Sequence, residues 1–125
     1  MILDTSAWVE LFKGTEKSRA VAELLESGQC ATSIITLSEI TSWCLKNNLN
    51  GKADKYISAI GKHTIVLGID AHIAVIAGKL NYERKKRAIS WGIADSIIAA
   101  TSMVYGMKIL TKDSAFRDLP NSQIL

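Results

Sequence analysis

Met1-Ile2-Leu3-Asp4-Thr5-Ser6-Ala7 opens the chain with an apolar run that stops at an aspartate and passes into residues that start helices. Lys108-Ile109-Leu110-Thr111-Lys112-Asp113 repeats the form near the other end. Each run is too short for a helix and suits a buried strand. Between them lie two further short stretches of strand character, Cys30–Ser33 and Thr64–Leu67, and the tail Ser122–Leu125 adds a last one. The intervening segments read as helices. Ser6 can cap Ala7–Lys13, which Gly14 ends; Thr15–Ser27 carries Ala20, Val21, Leu24 and Leu25 at helical spacing. Thr36-Leu37-Ser38-Glu39 has the form of a capping box and predicts a helix to Asn47, followed by a turn at Asn48–Gly51 and a helix over Lys52–Lys62. Asp70 caps a helix to Glu83, a basic loop follows that includes Trp91 and Gly92, and Ala94–Tyr105 is a helix closed by Gly106. Strands separated by whole helices cannot pair as hairpins. They need crossovers, which predicts an α/β domain: a mostly parallel sheet of four to five short strands with helices on both faces.

The whole chain of 125 residues is expected to be one domain, 1–125, able to bury about two-thirds of its unfolded surface without a disulfide or metal staple. Hydrophobic residues at 48% and charged residues at 22% exclude intrinsic disorder, and one proline and eight unperiodic glycines exclude fibrous and low-complexity classes. No apolar run approaches the roughly 18 residues of a membrane span. Asp4 and Glu10 interrupt the only candidate leader, so a cytoplasmic location is expected, with Cys30 and Cys44 as reduced thiols. The net charge is +3, and its excess lies wholly in residues 63–125, where Arg84, Lys85, Lys86 and Arg87 are consecutive. That balance permits a polyanionic partner without demanding one.

In open parallel sheets, ligands gather beyond the carboxyl ends of the strands. Asp4 and Asp113 stand there by sequence, and Glu39 and Asp95 stand near the starts of helices that begin on that edge. Four converging carboxylates raise one another's pKa, a conflict that a divalent cation resolves. Oxygen ligands point to Mg²⁺ or Mn²⁺, and such ions activate water and clamp phosphoryl oxygens. Each acid also has a plainer reading. Glu39 can be the capping partner of Thr36, Asp95 can sit at the positive end of its helix, Asp113 can cap a turn over Ser114–Arg117, and Asp70 looks like an N-cap only. Asp4 has no evident structural duty. Dinucleotide, P-loop and nucleophile-elbow motifs are missing, and His63 and His72 have no partner spacing.

Four segments together resemble the PIN domain family: Ile2-Leu3-Asp4-Thr5-Ser6-Ala7, Thr32-Ser33 through Ser38-Glu39-Ile40, Ala94-Asp95-Ser96-Ile97-Ile98-Ala99-Ala100-Thr101, and Ile109-Leu110-Thr111-Lys112-Asp113-Ser114-Ala115-Phe116. In order and spacing they look like the small VapC-like toxins of toxin–antitoxin pairs. The resemblance implies a three-layer PIN-like fold and an Mg²⁺-dependent (or Mn²⁺-dependent) endoribonuclease. Asp4, Glu39, Asp95 and Asp113 fall on its acidic positions. Asp4 and Asp95 match those tied most directly to the metal, with Thr5 or Ser6 and Thr111 as supporting hydroxyls. The partners implied are an RNA substrate, a small antitoxin protein and further copies of the chain, as a homodimer or higher homo-oligomer. No membrane partner is expected.

The run Arg84–Arg87 is either a solvated loop or an RNA contact, and Trp8, Leu11 and Phe12 are either core or the anchors of a docked partner helix. Asp118 is a spare acid near the same edge. Alternatives in other classes are a PIN-like RNA-processing nuclease without an antitoxin, a non-catalytic PIN-like module, and a metal-dependent phosphatase. Thr5 and Ser6 after Asp4 disfavour the last, which wants a second acid two residues on.

Overall fold

The computed structural model describes residues 1–87 and 90–125. Five short strands, β1 (Ile2–Leu3), β2 (Ala31–Ser33), β3 (Ile65–Leu67), β4 (Ile109–Thr111) and β5 (Ser122–Ile124), form one sheet in the order β3-β2-β1-β4-β5. Every neighbouring pair is parallel. The α-helices among the described residues are α1 (Thr5–Lys13), α2 (Ser18–Glu26), α3 (Ile34–Lys46), α4 (Ala53–His63), α5 (Ala71–Lys85) and α6 (Ile93–Tyr105). None is long and apolar enough to cross a membrane.

Alternation along the two central strands makes the sheet two-sided. Leu3 and Leu110 point into one core with Trp8, Val21, Ile40, Cys44 and Ile60, supplied by α1 to α4. Ile2 and Ile109 point into the other with Trp91, Ile98, Ala99 and Phe116, under α6. Helices thus cover both faces, as expected. Cys30 and Cys44 are free and buried, and burial pushes both thiols up, away from the reactive thiolate.

Several local expectations need correction. The helix after β2 starts without a loop: Ser33, the last strand residue, is its N-cap, accepting from the Ile35 N–H, so Thr36 lies inside the first turn. The capping box at Thr36 therefore does not form, and Glu39 stands in the second turn. Ser6 does not cap α1, because its hydroxyl turns to Asp4. The helix expected from Thr15 starts at Ser18, Thr15 being hydrogen-bonded to Glu10 and the Lys17 N–H. Asp70 does cap α5, accepting from the Ile73 N–H at 2.8 Å, and Gly106 ends α6 in the left-handed region at φ 62°.

The basic run is not one loop. Arg84 and Lys85 belong to the last turn of α5, and the loop expected after them includes Ala88 and Ile89, which lie outside the described residues. Lys85, Lys86 and Arg87 are exposed, whereas Arg84 is 7% exposed. Its guanidinium lies 4.1 Å from the Trp91 ring centroid and donates to both oxygens of Asp118 and to the Ala115 carbonyl. Arg84 and the spare acid Asp118 are thus partners of each other. The pairing holds the Asp118 carboxyl below its ordinary value.

Trp8 is core: it is fully buried, and its indole N–H donates to Thr32 at 3.1 Å. Leu11 and Phe12 are half-buried. Phe12 stacks on Tyr56 of α4 with ring centroids 4.0 Å apart, and Leu11 and Phe12 line a groove of about 310 Å³ between α1, α2 and α4.

Candidate functional site

β1 sits in the middle of the sheet, so the residue that follows it is walled in from both sides. Asp4 is 4% exposed, and its backbone carbonyl receives the first N–H groups of α1. Its Oδ2 accepts the Ser6 hydroxyl at 2.8 Å and the Thr111 hydroxyl at 2.7 Å. Each hydroxyl has one proton, and both are committed to Asp4. Their lone pairs in turn accept the backbone N–H groups of Lys112 at 2.9 Å and Asp113 at 3.0 Å. The turn after β4 thereby orients the carboxylate that follows β1, through two hydroxyls polarised in the same sense. Burial raises the Asp4 pKa, and these hydrogen bonds offset part of the rise.

Glu39 reaches the same place from α3. Its Oε1 accepts the Thr5 hydroxyl at 2.6 Å, a bond that ties α3 to the first residue of α1. Asp95, in the first turn of α6, accepts the Gly92 N–H at 2.9 Å, so its plainer reading is correct as far as one oxygen goes. Asp113 accepts the Ala115 N–H at 2.9 Å and caps the turn Ser114–Phe116. Among the described residues, the second oxygens of Glu39 and Asp95 have no hydrogen-bond donor. Both carboxyls are raised, by burial first. The Asp4 and Asp95 charges add to the rise at Glu39, and the Asp4 and Asp113 charges at Asp95.

All four acids, with Thr5 and Ser6, line one cleft of about 690 Å³ at the carboxyl edge. Thr111 lies beneath it, fully buried. The sequence reasoning missed Glu10 and Lys112, which also line the cleft. Glu10 is 3% exposed and accepts from the Lys112 ammonium at 2.5 Å, which with Thr15 holds its carboxyl down. It missed Lys13, Trp43 and Lys46 as well, although a stripe of Glu39, Trp43 and Lys46 at helical spacing was there to be read.

The donor set is oxygen-only and crowded with like charge, which suits a hard divalent ion. Among the described residues, no three acid, histidine or cysteine side chains stand close enough together to hold one.

The chain matches the PIN domain family model over residues 1–121. Ribonuclease VapC11 of Mycobacterium tuberculosis is 29% identical to it over 120 residues, covering 93% of this chain and 88% of that protein. The crystal structure of M. tuberculosis VapC20, a toxin that cleaves the sarcin–ricin loop, aligns with a TM-score of 0.78 at 16% identity, covering 96% of this chain and 95% of that one. DNA-bound VapBC from Salmonella typhimurium aligns with a TM-score of 0.75 at 22% identity, covering 99% and 95%. At such identities the structural likeness speaks for the fold. The family match spans nearly the whole sequence, and on it the chain belongs to the PIN domain family.

Proposed function

We propose that the chain is a divalent-metal-dependent endoribonuclease acting at the Asp4–Glu39–Asp95–Asp113 cleft, and that it is the toxin of a toxin–antitoxin pair. The observation that carries this reading is the convergence of four carboxylates from four separate elements on one cleft, with burial raising the pKa of Asp4, Glu39 and Asp95 and like charge adding to the rise at Glu39 and Asp95. Similarity to VapC ribonucleases supports the reaction type. Asp4 and Asp95 would hold Mg²⁺ or Mn²⁺, with Glu39 and Asp113 around them. The bound ion would activate water and neutralise charge on the phosphate.

The chain's own residues supply the rest. Thr111 and Ser6 fix the Asp4 carboxylate. Thr5 holds Glu39 by one oxygen and leaves the other to take the proton of the attacking water. A carboxyl raised toward neutrality suits that role. Glu39→Gln keeps the bond to Thr5 but cannot accept a proton. It should cut the rate by about 10²–10⁴-fold while the melting temperature changes little. A normal rate in that variant, measured on a mixed RNA pool with Mg²⁺, would return Glu39 to a structural role. A non-catalytic module would bind RNA and leave it intact.

VapBC complexes among the similar folds support an inhibitory partner. We place its helix in the groove that Leu11 and Phe12 line, on the second half of the helix that begins at Asp4. Leu11 is only half-buried, so Leu11→Ala should cost about 1–2 kcal/mol, below the range for a fully buried leucine. It should weaken inhibition by the protein encoded beside this chain while leaving RNA cleavage intact. Unchanged inhibition would remove the groove as the docking site.

A further inference from the structure

The cleft continues beyond its acids. On α3, Glu39, Trp43 and Lys46 line it at successive turns; on α1, Thr5, Val9 and Lys13 do the same. Both helices start at the carboxyl edge, so the lining changes sign along the cleft, from carboxylates near the helix starts to Lys13 and Lys46 in the last turns. At about 1.5 Å per residue, Lys46 stands about 10 Å beyond Glu39, further than one phosphate can bridge. The third lysine of the cleft, Lys112, is paired with Glu10, whereas Lys13 and Lys46 have no salt-bridge partner among the described residues. Between the two charged ends lies Trp43, half-buried, with Tyr56 behind it at 6.2 Å between ring centroids.

We propose that this arm of the cleft is a subsite for single-stranded RNA, in which Trp43 stacks on a base flanking the cut and Lys13 and Lys46 hold the phosphate beyond it. The inference rests on the ribonuclease reading and adds the path the substrate strand takes away from the acids. An aromatic face beside unpaired cations matches a nucleotide with its base unstacked. A basic peptide would be repelled by the same two lysines.

Trp8 and Trp91 are 0% and 1% exposed, so quenching of tryptophan emission by a bound strand reports Trp43. The experiment titrates the full chain, in EDTA, with short oligouridylate and oligoadenylate. Quenching is expected with both. The Lys13→Gln, Lys46→Gln double variant should bind more weakly, and its slope of log affinity against log salt should fall by about 1.4, for two lost single-strand phosphate contacts. Trp43→Leu, which lacks the reporter and is followed instead by the anisotropy of a fluorescently labelled oligouridylate, should weaken binding about fivefold or more. Should that variant fail to fold for want of its packing on Tyr56, the two exposed lysines decide alone. Wild type that cleaves RNA with Mg²⁺ yet shows no quenching, or a lysine variant with unchanged affinity and salt slope, would overturn the subsite and leave the nuclease reading standing. Quenching and salt dependence without cleavage in any divalent ion would keep the subsite and refute the nuclease.

Discussion

Asp4→Asn is expected to abolish RNA cleavage and to erase the rise in melting temperature that Mg²⁺ gives the wild type. A ligand that binds only the folded state at about 100 times its dissociation constant stabilises by about 2.7 kcal/mol, and loss of a principal anionic ligand removes most of that. The fold should survive, because the asparagine oxygen can accept the Ser6 and Thr111 hydroxyls that the carboxylate now receives. In metal-free buffer the order of stability should reverse. Burial raises the Asp4 pKa in the folded state, so folding favours the protonated form. The stabilisation is complete below the unfolded value and is lost as the pH climbs through the raised one. Glu39 and Asp95 are raised in the same direction. Metal-free wild type should therefore lose stability as the pH rises out of the acid range, and Asp4→Asn should lose less. Thermal melts across that range, with Mg²⁺ and with EDTA, check both halves. Cleavage at the wild-type rate in Asp4→Asn would refute the assignment of the site, and parallel pH profiles in EDTA would refute its electrostatic account.

The reason Asp4 was legible in the sequence is topological. A short apolar run that ends on an acid is informative when the run is a central strand, and in the order β3-β2-β1-β4-β5 the first strand lies inside the sheet. The same logic reaches Asp113 through β4. Glu39 was harder. Its local pattern, Thr36 to Glu39, matched a capping box, and the true cap, Ser33, was hidden because it ends a strand and is followed by Ile34 and Ile35, which look like more strand. Local pattern alone could not tell a hydroxyl that starts a helix from one already inside it; the β2–β3 pairing, which runs to Ser33 opposite Leu67, decides by fixing where the strand stops. Asp95 meets its plainer reading with one carboxylate oxygen, which accepts the Gly92 N–H at the start of α6, and its other oxygen has no donor among the described residues. Trp43, Lys13 and Lys46 were passed over because each is ordinary on its own helix. They become a site only when α1 and α3 face one another, a tertiary fact that helical periodicity suggests but does not contain.

Arg84 is where reading charge along the chain failed most plainly, and it carries the second large expected effect. Four consecutive basic residues look equivalent in sequence, yet one is buried and three are exposed. Helical geometry accounts for this: α5 extends to Lys85, and Arg84 falls on the stripe of Ile73 and Ala77 that faces inward. Its guanidinium is sandwiched between Trp91 and the turn that follows Asp113, donating to Asp118 and to the Ala115 carbonyl. Arg84→Gln should therefore cost about 2–3 kcal/mol, since the hydrogen bonds of a charged donor and a desolvated cation–π contact are each worth up to that and are not additive. The loss stays below that of a fully buried ion pair, because the Asp118 side chain is 61% exposed and returns to water when its partner is removed. Arg84→Met, which keeps the flat packing on Trp91, should recover part of the stability. Replacing Lys85, Lys86 and Arg87 together with Gln should leave the melting temperature nearly unchanged, as surface substitutions do at about ±0.5 kcal/mol each. If those three residues meet RNA phosphates, the triple variant should also flatten the salt dependence of RNA affinity, whereas Arg84→Gln, in the fraction that stays folded, should not. A normal melting temperature in Arg84→Gln together with a flattened salt slope would put Arg84 back among the RNA contacts, and would mean that its contacts with Trp91 and Asp118 contribute nothing to the fold.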